Sequence, residues 1–253
     1  SDEQIVLSTQ KAEIHLLDWR YEDEETRTEK MEALLQEESK RPFDLHNGPL
    51  IRLHIVQITR QESLLILTAH HIVVDGWSLG VLLQEMCALY TCACTGREKA
   101  CALENCSCTQ KPRTEEGATA QFRDYVVWQQ EQTSTDAWTQ QEQYWLAQLS
   151  GEIPVLDLPT DFQRPTLKTY SGARASITID TKLTAQLQKL CRENGSTLFM
   201  GLMALYMTFL HRQTGQTDLI VGMPSAGRDM ENSENMVGHA VDMAPLRVKI
   251  EDD

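Results

Sequence analysis

The dipeptide His70-His71, followed by Ile-Val-Val and then Asp75-Gly76-Trp77-Ser78, gathers the residues of this chain best suited to moving a proton. Imidazole takes up and returns a proton near neutrality more readily than any other side chain. The run from Ser63 to Ile72 that contains the pair is apolar and reads as a strand, in which successive side chains point to opposite faces. One histidine therefore belongs to the scaffold and the other is available to a cleft. Asp75 stands four residues past His71, beyond the strand's end, where a turn at Gly76 folds it back beneath the histidines. An aspartate placed there fixes an imidazole, or holds the turn by pairing with an arginine. A proton acceptor at a strand end, ahead of a glycine whose N–H faces the cleft, supplies two parts of an acyl-transfer site. No serine or cysteine nucleophile is needed when the substrate itself carries the attacking amine, hydroxyl or thiol. The plainer reading is a histidine pair packed in a core, with Asp75 as N-cap for a helix from Trp77 onward.

The elements that hold this turn are legible on both sides of it. Glu24 to Lys40 has helix composition, with Met31, Leu34 and Leu35 on one face and Pro42 as its stop. Leu50 to Ile58 and Ser63 to Ile72 are apolar runs joined by Thr59-Arg60-Gln61-Glu62, which predicts an antiparallel hairpin. The second run is apolar on both faces and is expected inside a sheet. Helical spacing resumes from Ser78 to Leu89, with Cys87 in the core, and again over Gln121 to Gln132 and Asp136 to Leu149. The proline-rich segment Pro154 to Pro165 reads as a crossover. Beyond it, Arg174 to Asp180 alternates as a strand does, and a helix capped by Asp180 ends at Gly195. A more apolar helix, Ser196 to His211 with Ser196 as N-cap, is expected to lie in a core, followed by strands over Asp218 to Met223 and Ala244 to Ile250. This order gives an α/β (α+β) two-layer sandwich. A first lobe over 1–152, a crossover over 153–170 and a second lobe from 171 to 253 are expected.

The 253 residues include 23 Lys and Arg against 37 Asp and Glu, a net charge of −14, which argues against a nucleic-acid partner. The sequence holds no apolar run of about 18 residues and opens without a leader, so a cytoplasmic protein with no membrane partner is expected. Seven cysteines suit reduced thiols better than a disulfide framework. Six of them fall at 87, 92, 94, 101, 106 and 108 without paired C-x2-C knuckles, so no metal centre is expected, and Cys92 to Ala118 reads as a loop insertion.

His70-His71 with Asp75-Gly76 resembles the signature of the condensation domains of non-ribosomal peptide synthetases, and His71 to Ser78 is a close form of it. Three further stretches agree in order. They are Arg41 to Arg52, then Phe122 to Trp128 with Tyr144-Trp145 and Leu158 to Asp161, then Val221 to Arg228 with Val237 to Arg247. The resemblance implies a chloramphenicol acetyltransferase-like fold of two lobes with a tunnel between them. It implies amide formation between a donor acyl or peptidyl thioester and an aminoacyl thioester acceptor. Both substrates ride on the phosphopantetheine of peptidyl carrier proteins, or of an acyl carrier protein, beside a neighbouring adenylation domain, and no cofactor is bound directly. By the same resemblance His71 is the base or positioner for the amine, Gly76 sits beside the reacting carbonyl, and His70 and Asp75 support the site, with Asp75 paired to an arginine. Trp77, Ser78, Arg228, His239 and Asp242 are candidates for tunnel or carrier contact, Arg228 through a phosphopantetheine phosphate. Three features depart from the family pattern. No early Arg-His-Glu segment precedes His70 to supply the usual partner of the aspartate, Asp242 stands where asparagine is usual, and both lobes are expected to be incomplete. Two alternatives accompany this reading: a free-standing acyltransferase with a soluble acyl donor, and a silent fragment that only docks carrier proteins.

Overall fold

Parallel strands need a crossover between them, and the charged segment after the first strand supplies one. In the computed structural model, which describes residues 4–7, 12–95, 120–163, 165–167, 169 and 172–251, strand β1 (Glu13–Asp18) leads into helix α1 (Glu24–Lys40), which returns the chain to β2 (Ile51–Gln57). Asp23 caps α1 by accepting the Thr26 N–H at 2.7 Å, and Arg41 leaves the helix in extended conformation ahead of Pro42. β1 runs parallel to β2, and β2 pairs antiparallel with β3 (Ser63–Ala69), with Ile55 opposite Leu65. The polar link closes as expected: the Thr59 hydroxyl accepts the N–H groups of Gln61 and Glu62. The sheet order is β1-β2-β3.

Alternate β2 residues Arg52, His54 and Val56 are buried on one face, where Arg52 and His54 meet Glu38 of α1. Arg52 donates from Nε to Glu38 at 2.9 Å and from its other nitrogens to the carbonyls of Arg41 and Pro42, while its guanidinium covers the Phe43 ring at 3.9 Å. Burial pushes the Glu38 carboxyl up, but the bond and charge of Arg52 outweigh it and leave the group below its ordinary value. After β3 come α2 (Gly76–Thr95) and α3 (Phe122–Gln132). Tyr125 of α3 packs with Met236 and Ala240, flanked by Phe122, Trp128 and Met230.

These residues belong to one unit, Ser1–Glu131 together with Ala226–Val241. The other comprises Gln132–Ser225 and Asp242–Asp253. In the latter, α4 (Asp136–Gln148), α5 (Thr181–Glu193) and α6 (Leu198–Thr214) accompany an antiparallel pair, β4 (Asp218–Ser225) and β5 (Asp242–Lys249). Its core joins Met207 and Leu210 of α6 to Leu219 of β4, with Leu156, Leu158, Leu246 and Val248 around them. Arg247 holds the unit's edge. It grips both oxygens of Asp218 at 2.9 and 2.7 Å and donates to the carbonyls of Ser150 and Glu152.

The α/β class and most elements match the expectation, and several details correct it. The division does not fall at 152/153: α4 goes with the second unit, and residues 226–241 return to the first because their apolar side chains pack on α3. β3 is a sheet edge among the described residues rather than an interior strand, and no strand forms over 172–180. α2 runs past Leu89 to Thr95 and takes in Cys92 and Cys94, while Cys87 on it is exposed. Cys101, Cys106 and Cys108 lie outside the described residues. α6 is capped by Thr197, not Ser196, whose hydroxyl bonds the Cys191 carbonyl instead. Nor is α6 enclosed. Met207 and Leu210 are buried against β4, while Phe199, Leu202, Leu205 and Phe209 are exposed.

α5 and α6 touch where Gly201 faces the buried Cys191. A Cβ on Gly201 would stand 2.3 Å from Cys191 Sγ and 3.9 Å from its Cβ. Gly201→Ala should therefore destabilise the protein by about 1–3 kcal/mol through overpacking. In a Cys191→Ala background the same change should stabilise by about 1 kcal/mol, because only the helix propensity of alanine remains. Urea unfolding of the four proteins of this cycle reads that reversal of sign.

Candidate functional site

The end of the β2–β3 hairpin sets the two histidines apart. The His70 N–H donates to the Leu50 carbonyl at 2.9 Å, its ring meets the edge of Phe43 at 5.6 Å, and its Nδ1 accepts the Ile72 N–H at 3.1 Å. Since Phe43 also lies beneath Arg52, the buried Arg52–Glu38 pair and the His70 ring are braced through one aromatic side chain. His71 points elsewhere. It is exposed, and its Nδ1 lies 2.9 Å from Nδ1 of His239.

The turn after it is fastened by Asp75, which is 1% exposed and accepts at both oxygens. Oδ1 takes the N–H of Ser78 at 2.8 Å, so Asp75 does cap α2. Oδ2 takes the N–H of Ala240 at 3.1 Å, and the Nη2 of Arg228 reaches both oxygens at 3.1 and 3.0 Å. The cap and the arginine partner, alternatives in the sequence, are thus both present. Ser78 is wholly buried in the same knot. Its hydroxyl lies 2.7 Å from Asp75 Oδ1 and 2.9 Å from the Gly238 carbonyl, one of which takes its proton, and it accepts the Gly238 N–H at 3.0 Å. Gly227 lets the returning segment close on itself. Its φ is +61°, and a Cβ there would stand 1.8 Å from the Ala240 carbonyl oxygen.

Burial pushes the Asp75 carboxyl up. The N–H and hydroxyl of Ser78, the N–H of Ala240 and the charge of Arg228 outweigh that, and the group stays below the usual carboxylate range. Gly76, the first residue of α2, is exposed, with no heavy atom within 4 Å of where a Cβ would stand. Trp77, about half exposed, donates its indole N–H to the Glu234 carbonyl at 2.7 Å.

Two candidates therefore change character. Arg228, expected to meet a carrier phosphate, has a side chain only 5% exposed and spends Nη2 on Asp75, so burial keeps it from an outside ligand. Ser78, expected at a tunnel or carrier surface, is an internal fastener. Asp242 stands in the other unit, opening β5 opposite Ser225. His70, His71, Asp75, Gly76, Trp77, Ser78, Arg228 and His239 are gathered in the first. Sequence reasoning missed that Gly238 and Ala240 complete the knot through their backbone. Their place beside His239 in the Val237 to Arg247 stretch was the one signal available. Among the described residues no three His, Cys, Asp or Glu side chains stand close enough to hold a metal ion, and no helix is long and apolar enough to cross a membrane.

Asp75→Asn removes the charge that balances a buried guanidinium and should destabilise the protein by about 3 kcal/mol or more in urea unfolding. In the parent chain the depressed value of Asp75 makes its contribution full above the unfolded carboxylate range, near pH 4. That contribution is lost as pH falls through the lower folded value. The Asp75→Asn protein should show a flatter acid limb, and an unchanged one would remove Asp75 from the pH response.

The family model for the condensation domain matches residues 3–253. One of the linear gramicidin synthase polypeptides of Brevibacillus parabrevis is 37% identical over 234 residues, which are 92% of this chain and 4% of that protein. Among solved structures, the first condensation domain of the calcium-dependent antibiotic synthetase, in complex with a substrate analogue, superposes with a TM-score of 0.70 at 21% identity, covering 94% of this chain and 48% of that one. The epimerization domain from the third module of tyrocidine synthetase B gives 0.75 at 17% identity, with 97% and 53% covered. The chain thus spans about half the length of the solved domains it matches and a small part of the gramicidin synthase polypeptide. The fold is the chloramphenicol acetyltransferase-like one of these domains, and the chain belongs to the condensation-domain family of non-ribosomal peptide synthetases.

Proposed function

We propose that this chain carries the reacting histidine of a condensation domain that forms an amide between two carrier-bound substrates. One observation carries the reading. His71 is exposed at the hairpin end with its Nε2 unengaged among the described residues, while Asp75, Ser78 and Arg228 are buried and spent on holding the turn. That division of labour is what a proton acceptor on a rigid mount requires.

The acceptor amine attacks the carbonyl carbon of the donor thioester, the C–N bond forms and the C–S bond breaks. The proton leaves the amine for His71 Nε2 and passes to the departing thiolate, so the step consumes no other reagent. Gly76 supports the carbonyl. At the first position of α2 its N–H has no partner within the helix, the helix dipole favours negative charge there, and no other part of the chain crowds the side on which a Cβ would stand. His71 is thus the group in contact with the amine, Gly76 the oxyanion donor, and His70 and Asp75 their mounts.

The substrates arrive on phosphopantetheine arms of peptidyl carrier proteins, or of an acyl carrier protein for the donor. A neighbouring adenylation domain loads them, and the setting is the cytoplasm. No cofactor bound by this chain enters the reaction. The family match and the synthase relative support that context.

The test mixes the chain with two carrier proteins, one bearing an acyl group and one an amino acid, and follows both by intact-protein mass spectrometry. Product should accumulate on the acceptor carrier, and His71→Ala should slow it by about a hundredfold or more. An equal rate in the His71→Ala protein would remove His71 as base and as positioner. A soluble thioester serving as well as the loaded carrier would favour the free-standing acyltransferase. Carrier binding by the folded chain without transfer would favour a docking role alone.

A further inference from the structure

We propose that His239 is the positioning residue of His71: it accepts the His71 Nδ1–H and thereby keeps the unprotonated nitrogen at Nε2, the atom turned toward substrate. The proposal rests on the reading of His71 as the proton acceptor.

The two Nδ1 atoms stand 2.9 Å apart, with ring centroids at 4.8 Å and planes at 79°. A hydrogen bond between two like ring nitrogens needs one to donate and the other to accept, so it couples the tautomers of both rings. If His239 donated, His71 would hold its lone pair at Nδ1 and a hydrogen at Nε2. Its outward face would then be a donor, and protonation of His71 would place hydrogens on both sides of the contact and break it. With His71 donating, Nε2 is free to take a proton. Once it has, Nδ1–H still donates to neutral His239, now as a charge-assisted bond. Only this arrangement survives a full cycle of proton uptake and release.

The mount of His239 fits that role. Its neighbours are held by the knot that fastens the turn after His71: the Gly238 N–H donates to Ser78 Oγ and the Ala240 N–H to Asp75 Oδ2. The carboxylate that caps α2 therefore also presents the acceptor to His71. Among the described residues no other group is hydrogen-bonded to the His71 ring. His239 itself is exposed, so its side chain can be replaced without opening the buried knot.

The experiment labels the chain with 15N-histidine and reads the protonation of each ring nitrogen by two-bond 15N–1H correlation in mildly alkaline solution. The His71→Gln spectrum assigns the His71 signals. His71 should carry its hydrogen on Nδ1 with Nε2 bare. In His239→Ala and His239→Leu it should relax to an exchanging mixture in which the Nε2–H form prevails. His239→Asn, whose Oδ1 takes the place of Nδ1 as acceptor, should keep the parent pattern. His70, whose Nδ1 accepts the Ile72 N–H, reports that the hairpin end is intact in every variant. In the carrier assay His239→Ala should slow transfer about tenfold and His239→Asn should restore most of the rate. A hydrogen on Nε2 of His71 in the parent, or a His71 pattern indifferent to the loss of His239, overturns the proposal. The two readings separate cleanly. Transfer indifferent to His71→Ala refutes the reaction, whereas transfer that needs His71 while its tautomer ignores His239 refutes the positioning role alone.

Discussion

A carboxylate and a guanidinium taken out of water are tolerated only when almost every polar atom near them is answered, and the first unit is organised around one such pair, Asp75 with Arg228. The answers come from four places: the N-terminus of α2, the Ser78 hydroxyl, and the backbone at Gly238 and at Ala240. Each fixes something else. The first sets where the helix begins and so where Gly76 stands. The last two set the path of the segment that carries His239. A single carboxyl group thus determines the start of a helix, the shape of the turn after His71 and the partner of the His71 ring.

A second buried pair, Arg52 with Glu38, fixes the other side of the same histidines. It locks β2 to α1 and braces Phe43, whose ring meets His70. The dipeptide is therefore held between two ion pairs, one on the sheet and one on the helix start. The ring left in solvent is that of His71. Rigidity has been placed under His71 and kept off its surface, which is the arrangement that lets a histidine keep its geometry while its charge changes.

Much of this was legible in the residues. α1 was bounded to the residue by its composition and by Pro42, and the hairpin by a polar link between two apolar runs, because these signals are local. The opposite fates of His70 and His71 were expected from the period of a strand, but β3 ends at Ala69 and the turn after it separates them: His70 is tied to Leu50 and His71 is turned out. What stayed hidden is set by distance in the chain. Arg228 looked like a surface cation because nothing near it in sequence reveals a buried carboxylate 153 residues away. Ser78 looked like an extension of a motif for the same reason. α6 looked like a core helix because its apolar residues surround it, whereas neighbours, not composition, decide burial: β4 and β5 cover one stripe of it. Nothing near Glu38 in the chain marks it as buried, and only the presence of Arg52 opposite makes its burial tolerable.

The return of residues 226–241 to the first unit also governs when the site comes into being. A ribosome releases the chain in order, and the hairpin with both histidines emerges well before the segment that completes it. Until Arg228 and the amides of Gly238 and Ala240 have followed, Asp75 has only Ser78 to answer it, and a bare carboxylate stays hydrated rather than buried. Helices α4, α5 and α6 and strand β4 are all made in that interval, whereas β5, the partner of β4, follows only after it. Maturation of the histidine turn is therefore a late event of synthesis. A message truncated between the codons for residues 78 and 240 yields the signature motif without the contacts that fasten it.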